Sequence, residues 1–303
     1  KIYPFNTVPD QFTLDEVNGR VFMTVHPESE RLYKLDLNTG VIEHPQVLQT
    51  FVRAGGSWTY RFSLRDIALG ENGNVFALML DGAGIDPEIT DLPFTDTRLW
   101  LGLMDPDATF LIESIPLLEP IRVEYEPVEN NLFLSTASNL ATFDYNPLTH
   151  GLTFITGTDI QVGDNCTDFQ VSPDGTRLAY TCPLGNRPRE SQDGEFSIVD
   201  MNPRSYYDSD GEWFLGSSPV SATFNADGTL LVATDNESLF FYDVATHLIL
   251  EDFELGLLEG EAIRKIRISR DGNLLYLFLN NELHAENSKF YWMNMPAITG
   301  TPL

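Results

Sequence analysis

The sequence predicts an all-β fold: one domain over 1–303, built as a six-bladed β-propeller of four-stranded blades. Three observations predict it. A strand–turn–strand hairpin recurs six times, a second strand ending in Asp or Asn follows each copy, and helical periodicity appears nowhere at length.

The hairpins align on the residue before the turn. They read FTLDEVNGRVFMTV (from Phe12), DIALGENGNVFALML (from Asp66), RVEYEPVENNLFLST (from Arg122), DFQVSPDGTRLAYTC (from Asp168), SATFNADGTLLVATD (from Ser221) and KIRISRDGNLLYLFL (from Lys265). Each pairs alternating apolar residues with a turn rich in Asp, Asn and Gly, where Gly tolerates positive φ. The following strands are LYKLDLNTG, LGLMDPDAT, ATFDYNPLTHG, FSIVDMNPRS, LFFYDVATH and FYWMNMPAITG, with Asp36, Asp105, Asp144, Asp200, Asp243 and Asn294 as turn formers. Fourth strands follow in VIEHPQVL, FLIESIPL, LTFITG, EWFLG and LILEDFEL.

Four-stranded units repeating without helices read as propeller blades. The sixth unit runs out at Pro296, and the N-terminus offers a spare strand, KIYPFNTV. Lys1–Val8 is therefore expected beside Phe290–Met295, completing the last blade and closing the ring. Seven blades are the alternative, and that ring needs a further full unit. The SPDG-type hairpins and apolar-strand-Asp-x-x-Thr segments resemble bacterial TolB-like and YVTN/WD40-like β-propellers. That resemblance implies a fold shared by sensors, scaffolds and several enzymes, so it implies no single activity.

Lys and Arg number 18 against 45 Asp and Glu, for a net charge of −27. Such a surface repels nucleic acid and anionic membrane. No apolar run approaches the roughly 18 residues that a membrane helix needs. The two cysteines, Cys166 and Cys182, bracket the fourth hairpin about equally far from its turn. They are expected to form a disulfide, which implies an oxidising, extracytoplasmic compartment: periplasmic, secreted or cell-surface. The chain is expected to be a monomeric domain, with room for a longer secreted or surface protein around it.

The strongest candidate site is a ring. Four residues before each turn-preceding position stand Gln11, Asp66, Arg122, Asp168, Ser221 and Lys265, all polar, each followed by an apolar residue. Two positions on, the set is Thr13, Ala68, Glu124, Gln170, Thr223 and Arg267. On the innermost strands these side chains would surround the axial channel mouth. The residues favour inter-blade ion pairs, Asp66 with Arg122 and Arg122 with Asp168. The sharper reading makes Gln11, Asp66, Arg122, Glu124, Asp168, Ser221, Lys265 and Arg267 a pocket for a small polar ligand.

Other candidates are weaker. AGGSWTYRF enters the second blade as a glycine-bearing loop whose Trp58, Tyr60 and Arg61 are types enriched at binding hot spots. DSDGE carries Asp208, Asp210 and Glu212 and resembles the start of a calcium loop, so Ca is the one cofactor considered. Insertions occupy 81–97, with Asp81, Asp86, Asp91 and Asp96, and 183–195. No catalytic template such as GxSxG, HExxH or a P-loop is present, and the five histidines lack metal-ligand spacing. The expected function is a non-enzymatic binding or scaffold module for a protein or polysaccharide partner. The alternative is a hydrolase or lactonase-type enzyme at the channel mouth, with a divalent cation. Lactonase chemistry calls for Glu, Asn and Asp converging on a metal, and here basic neighbours stand among the acids. Phytase chemistry calls for abundant Lys and Arg.

Overall fold

A computed structural model describes residues 2–4, 9–25, 31–53, 56–81, 99–111, 115–117, 122–135, 139–155, 160–161, 166, 168–182, 195–201, 213–214, 219–281, 283–284, 288–296 and 298. The chain opens on β1 (Ile2–Pro4). A first sheet follows from β2 (Pro9–Asp15), β3 (Arg20–Val25), β4 (Tyr33–Asp36) and β5 (Ile42–Glu43). The second holds β6 (Leu48–Arg53), β7 (Gly56–Leu69), β8 (Val75–Asp81), β9 (Leu99–Met104) and β10 (Ile115–Leu117). The third holds β11 (Arg122–Glu126), β12 (Asn131–Ser135), β13 (Asn139–Asn146), β14 (Gly151–Phe154) and β15 (Ile160–Gln161). The fourth holds β16 (Asp168–Val171), β17 (Arg177–Cys182), β18 (Glu195–Asp200) and β19 (Trp213–Phe214). The fifth holds β20 (Ser221–Phe224), β21 (Leu230–Thr234), β22 (Ser238–Asp243) and β23 (Leu248–Glu254). The sixth holds β24 (Glu261–Ile268), β25 (Leu274–Asn281) and β26 (Lys289–Asn294).

All six sheets are antiparallel, and no α-helix occurs among the described residues. β1 joins the sixth sheet, with Ile2 opposite Tyr291 and Tyr3 opposite Phe290, so the Ile2–Pro4 part of the expected Lys1–Val8 strand lies beside β26, and 1 and 5–8 lie outside the described residues. The six first strands, β2, β7, β11, β16, β20 and β24, touch in that order, and β24 also touches β2.

Strand alternation explains the packing. In β12, Leu132 and Leu134 face the second sheet's Phe76 and Leu101, while Phe133 faces the fourth sheet's Phe169 and Leu178. Both faces of a sheet are thus covered, and the second strands read as nearly unbroken apolar runs. The same pattern gives a core between each pair of successive sheets and one between the sixth and first. There Phe12 meets Phe278 and Phe290 edge-on at 5.8 and 5.3 Å. Glu16 accepts bonds from the Arg270 N–H (2.5 Å) and the Tyr276 hydroxyl (3.4 Å) across the same contact.

The turns follow their composition. Gly175, Gly228 and Gly272 hold φ of 72°, 72° and 74°, a region that side chains disfavour. Ser172 donates to Asp174 and accepts from Arg177 N–H, and Ser269 repeats this with Asp271 and Leu274. Asp36, Asp105 and Asp243 each accept backbone N–H bonds within their turns. In the third sheet Asn146 does this work rather than Asp144, because β13 runs two residues further.

Cys166 and Cys182 are disulfide-bonded. Asp168 pairs with Thr181, so the bridge joins residues just past the end of the β16–β17 ladder. AGGSWTYRF needs correction: its Gly56–Phe62 part is strand, not loop. β7 extends beyond its pairing with β8 and forms a ladder with β6, in which Trp58 opposes Phe51, Tyr60 opposes Gln49 and Arg61 opposes Leu48. Phe62 opposes Asp81 at the base of this hairpin, and the rest of the 81–97 insertion lies outside the described residues.

Candidate functional site

The ring residues meet where the six first strands meet. Gln11, Asp66, Asp168, Ser221, Lys265 and Arg267 are buried, and Arg122 and Glu124 are half-buried. Six stand at one strand position, and Glu124 and Arg267 stand two residues further on, so alternation sends all eight to the same side while the residue between packs between sheets.

One side of the cluster is tightly bonded. Arg267 grips Asp168 with two prongs, Nη1 to Oδ2 at 2.8 Å and Nη2 to Oδ1 at 3.0 Å. Lys265 Nζ lies 3.6 Å from Asp168 Oδ1 and donates to Gln11 Oε1 at 2.5 Å. Ser221 Oγ donates to Asp168 Oδ2. Burial alone would raise the Asp168 carboxyl, but these cations and bonds pull it down to about 2. The Arg267 guanidinium is shifted upward, with Asp168 outweighing desolvation. Burial and the neighbouring Arg267 push Lys265 downward, against the pull of the acids.

These pairs correct the expected order. Asp168 bonds to residues of β24, two sheets away, rather than forming its pair with the neighbouring Arg122. Ser221, on the intervening β20, is short enough for Arg267 to reach over it. Arg267 Nη1 also approaches the carbonyls of Ala222 (3.4 Å) and Ile266 (2.8 Å) on the way.

The opposite side is looser. Asp66 Oδ2 accepts the Val123 N–H at 2.7 Å, and its buried Oδ1 has no partner. Burial raises the Asp66 carboxyl despite Lys265 and Arg122. Glu124, next to Val123, receives no hydrogen bond from the described residues. Burial pushes its carboxyl up to about 7, with Arg267 and Lys265 opposing and Asp168 and Asp66 reinforcing the shift. A carboxyl in that range exchanges a proton near neutrality, as a general acid or base requires.

A further role was hidden in the second inner set. Thr13, Gln170 and Thr223 accept backbone N–H bonds from Leu69, Phe224 and Ile268 of the next first strand. Ser221 and Asp66 do the same for Ile266 and Val123. Short polar side chains here replace the ladder that neighbouring sheets lack. The signal was a polar residue recurring every second position.

Asp208, Asp210 and Glu212, and Asp86, Asp91 and Asp96, lie outside the described residues, so the calcium reading finds no geometry here. Asp81 ends β8. Trp58, Tyr60 and Arg61 lie on the β6–β7 hairpin, away from the cluster in sequence register. Among the described residues, no three His, Cys, Asp or Glu side chains are grouped to hold a metal. No helix among them is long and apolar enough to cross a membrane.

No family model matches the chain, and no curated protein matches it. A solved structure titled Kuenenia stuttgartiensis Hydrazine Synthase superposes with a TM-score of 0.57 at 11% identity, over 90% of this chain and 76% of that one. The likeness shows the fold alone. It supports a propeller-like arrangement of the six sheets. Matches to 1129 solved chains mark the arrangement as widely used, so it selects no activity.

Proposed function

We propose that the chain is a six-bladed propeller of the TolB-like and YVTN/WD40-like kind, closed by β1 beside β26, that serves as a non-enzymatic binding or scaffold module outside the cytoplasm. The cyclic contact of first strands and the core between sixth and first sheets support closure. The disulfide fits an oxidising compartment. The observation that carries the functional reading is the Asp168–Arg267–Lys265–Gln11 network: the charges bond to one another and tie three first strands, β16, β24 and β2, together. Binding then falls to the periphery, where the β6–β7 hairpin extends beyond the pairing of β7 with β8. A protein or polysaccharide is the partner class.

The test is retention of extracytoplasmic proteins and glycans by the immobilised chain and by a Trp58→Ala, Tyr60→Ala variant. Retention that falls at least tenfold in the variant, with unchanged melting, supports the reading. Glu124 favours a second reading, hydrolysis at the axial mouth. Ester or lactone turnover by the wild type that disappears in Glu124→Gln would establish it and overturn the first.

A further inference from the structure

β23 is a long outer strand. It ends the fifth sheet and, among the described residues, pairs only with β22. It has 7 residues, whereas β5 and β14 have 2 and 4. Leu248, Ile249 and Phe253 on it are 46%, 36% and 39% exposed. Asp252 and Glu254 are also exposed, and Glu251 is half-buried with a buried Oε2 that has no hydrogen-bond partner. The register shifts opposite Phe241 and Tyr242, which leaves Glu251–Glu254 as a regular paired stretch.

An outer strand presents a row of backbone N–H and C=O groups that a further strand can pair with. Charge selects among possible occupants. A second copy would set Glu251, Asp252 and Glu254 against like charges, in a chain of net charge −27. Nucleic acid and anionic lipid are repelled on the same ground. A strand with Lys or Arg at alternate positions sets them on the face of Asp252 and Glu254, and its apolar residues on the face of Phe253.

We infer that β23 is a docking edge for an extended basic segment of a partner protein, which adds to the fifth sheet as a further strand. The inference rests on the binding-module reading and assigns it a second, separate surface from the β6–β7 hairpin. Asp252 and Glu254, two residues apart on one face, give specificity and register, and the main-chain bonds give attachment.

The probe is a capped heptapeptide alternating Lys and Val, titrated into the full chain. Amide exchange over Leu248–Glu254 should slow at least tenfold at saturation. The same peptide N-methylated at alternate backbone positions should not slow it. A Glu251→Gln, Asp252→Asn, Glu254→Gln variant should bind at least tenfold more weakly with unchanged melting. The inference is overturned by unslowed exchange at β23, by equal slowing at other outer strands, or by equally tight binding to the variant. Light scattering that finds a dimer strengthened in the variant assigns the edge to a second copy and overturns it too. If β23 fails while retention still depends on Trp58 and Tyr60, only the docking edge falls. Loss of that retention with β23 docking intact removes the hairpin reading instead.

Discussion

Asp168 and Glu124 sit on neighbouring first strands and feel the same two cations, Lys265 and Arg267, yet their carboxyls shift in opposite directions, to about 2 and about 7. Both are desolvated. The difference is contact: Asp168 receives direct bonds from both Arg267 nitrogens and from Ser221, while Glu124 feels the cations only through space. At Asp168 desolvation is overcome first by the charges of Arg267 and Lys265 at close range and then by the hydrogen bonds from Arg267 and Ser221, whereas at Glu124 the same cations do not outweigh it. One side of the axial cluster therefore holds strands together, and the other retains a group that titrates at neutral pH.

Removing a partner on the bonded side should have the largest effect. Asp168→Ala leaves Arg267 and Lys265 buried without their acceptor and is expected to cost about 3–5 kcal/mol in denaturant melts. Arg267→Ala should cost a similar amount, and the double variant well under the sum, because both act through one pair. A loss below about 0.5 kcal/mol for Asp168→Ala, the scale of plain surface changes, would remove the distinction between the two sides.

The disulfide bears on the same side, since Cys166 lies two residues before Asp168. Replacing Cys166 and Cys182 with Ser should cost about 2–4 kcal/mol, the usual range for closing a short loop. Thiol titration of the unfolded, unreduced chain should find no free thiol, and two free thiols would withdraw the extracytoplasmic placement.

Glu124→Gln should act in the opposite direction and less strongly. A carboxyl raised from 4.5 to about 7 in the fold contributes stability that is full below pH 4.5 and lost as pH rises through about 7. The variant should thus be at least as stable as the wild type at pH 8 and should lose the wild type's decline between pH 5 and 8. Asp168 has the reverse sign: its contribution is present above pH 3.8 and is lost as pH falls through about 2. A wild-type chain whose stability is flat from pH 5 to 8 would contradict the loose side.

Much of this arrangement was legible in the sequence. The six polar positions, each followed by an apolar residue, located the inner strands, because alternation along a strand is a local property. The unfilled sixth unit located the partner of β1, and the turn spacing located the disulfide. Which charge meets which was not legible. Strand order suggested neighbours, but the Asp168–Arg267 pair depends on side-chain reach over Ser221, which only the assembled strands define. AGGSWTYRF reads as a loop in the sequence because of Gly55 and Gly56, whereas its Trp58 and Tyr60 lie in a strand paired with β6. The role of Thr13, Gln170 and Thr223 was visible only as polarity, since the N–H groups they accept belong to the next sheet.

The most direct test is a carboxyl-carbon NMR titration of the folded chain, with Asp168 and Glu124 assigned through their Asn and Gln variants. The account expects Glu124 to titrate near 7 and Asp168 to remain ionised down to about pH 2. If both carboxyls titrate together near their ordinary values of about 4, the two sides of the axial cluster are equivalent and the account is wrong.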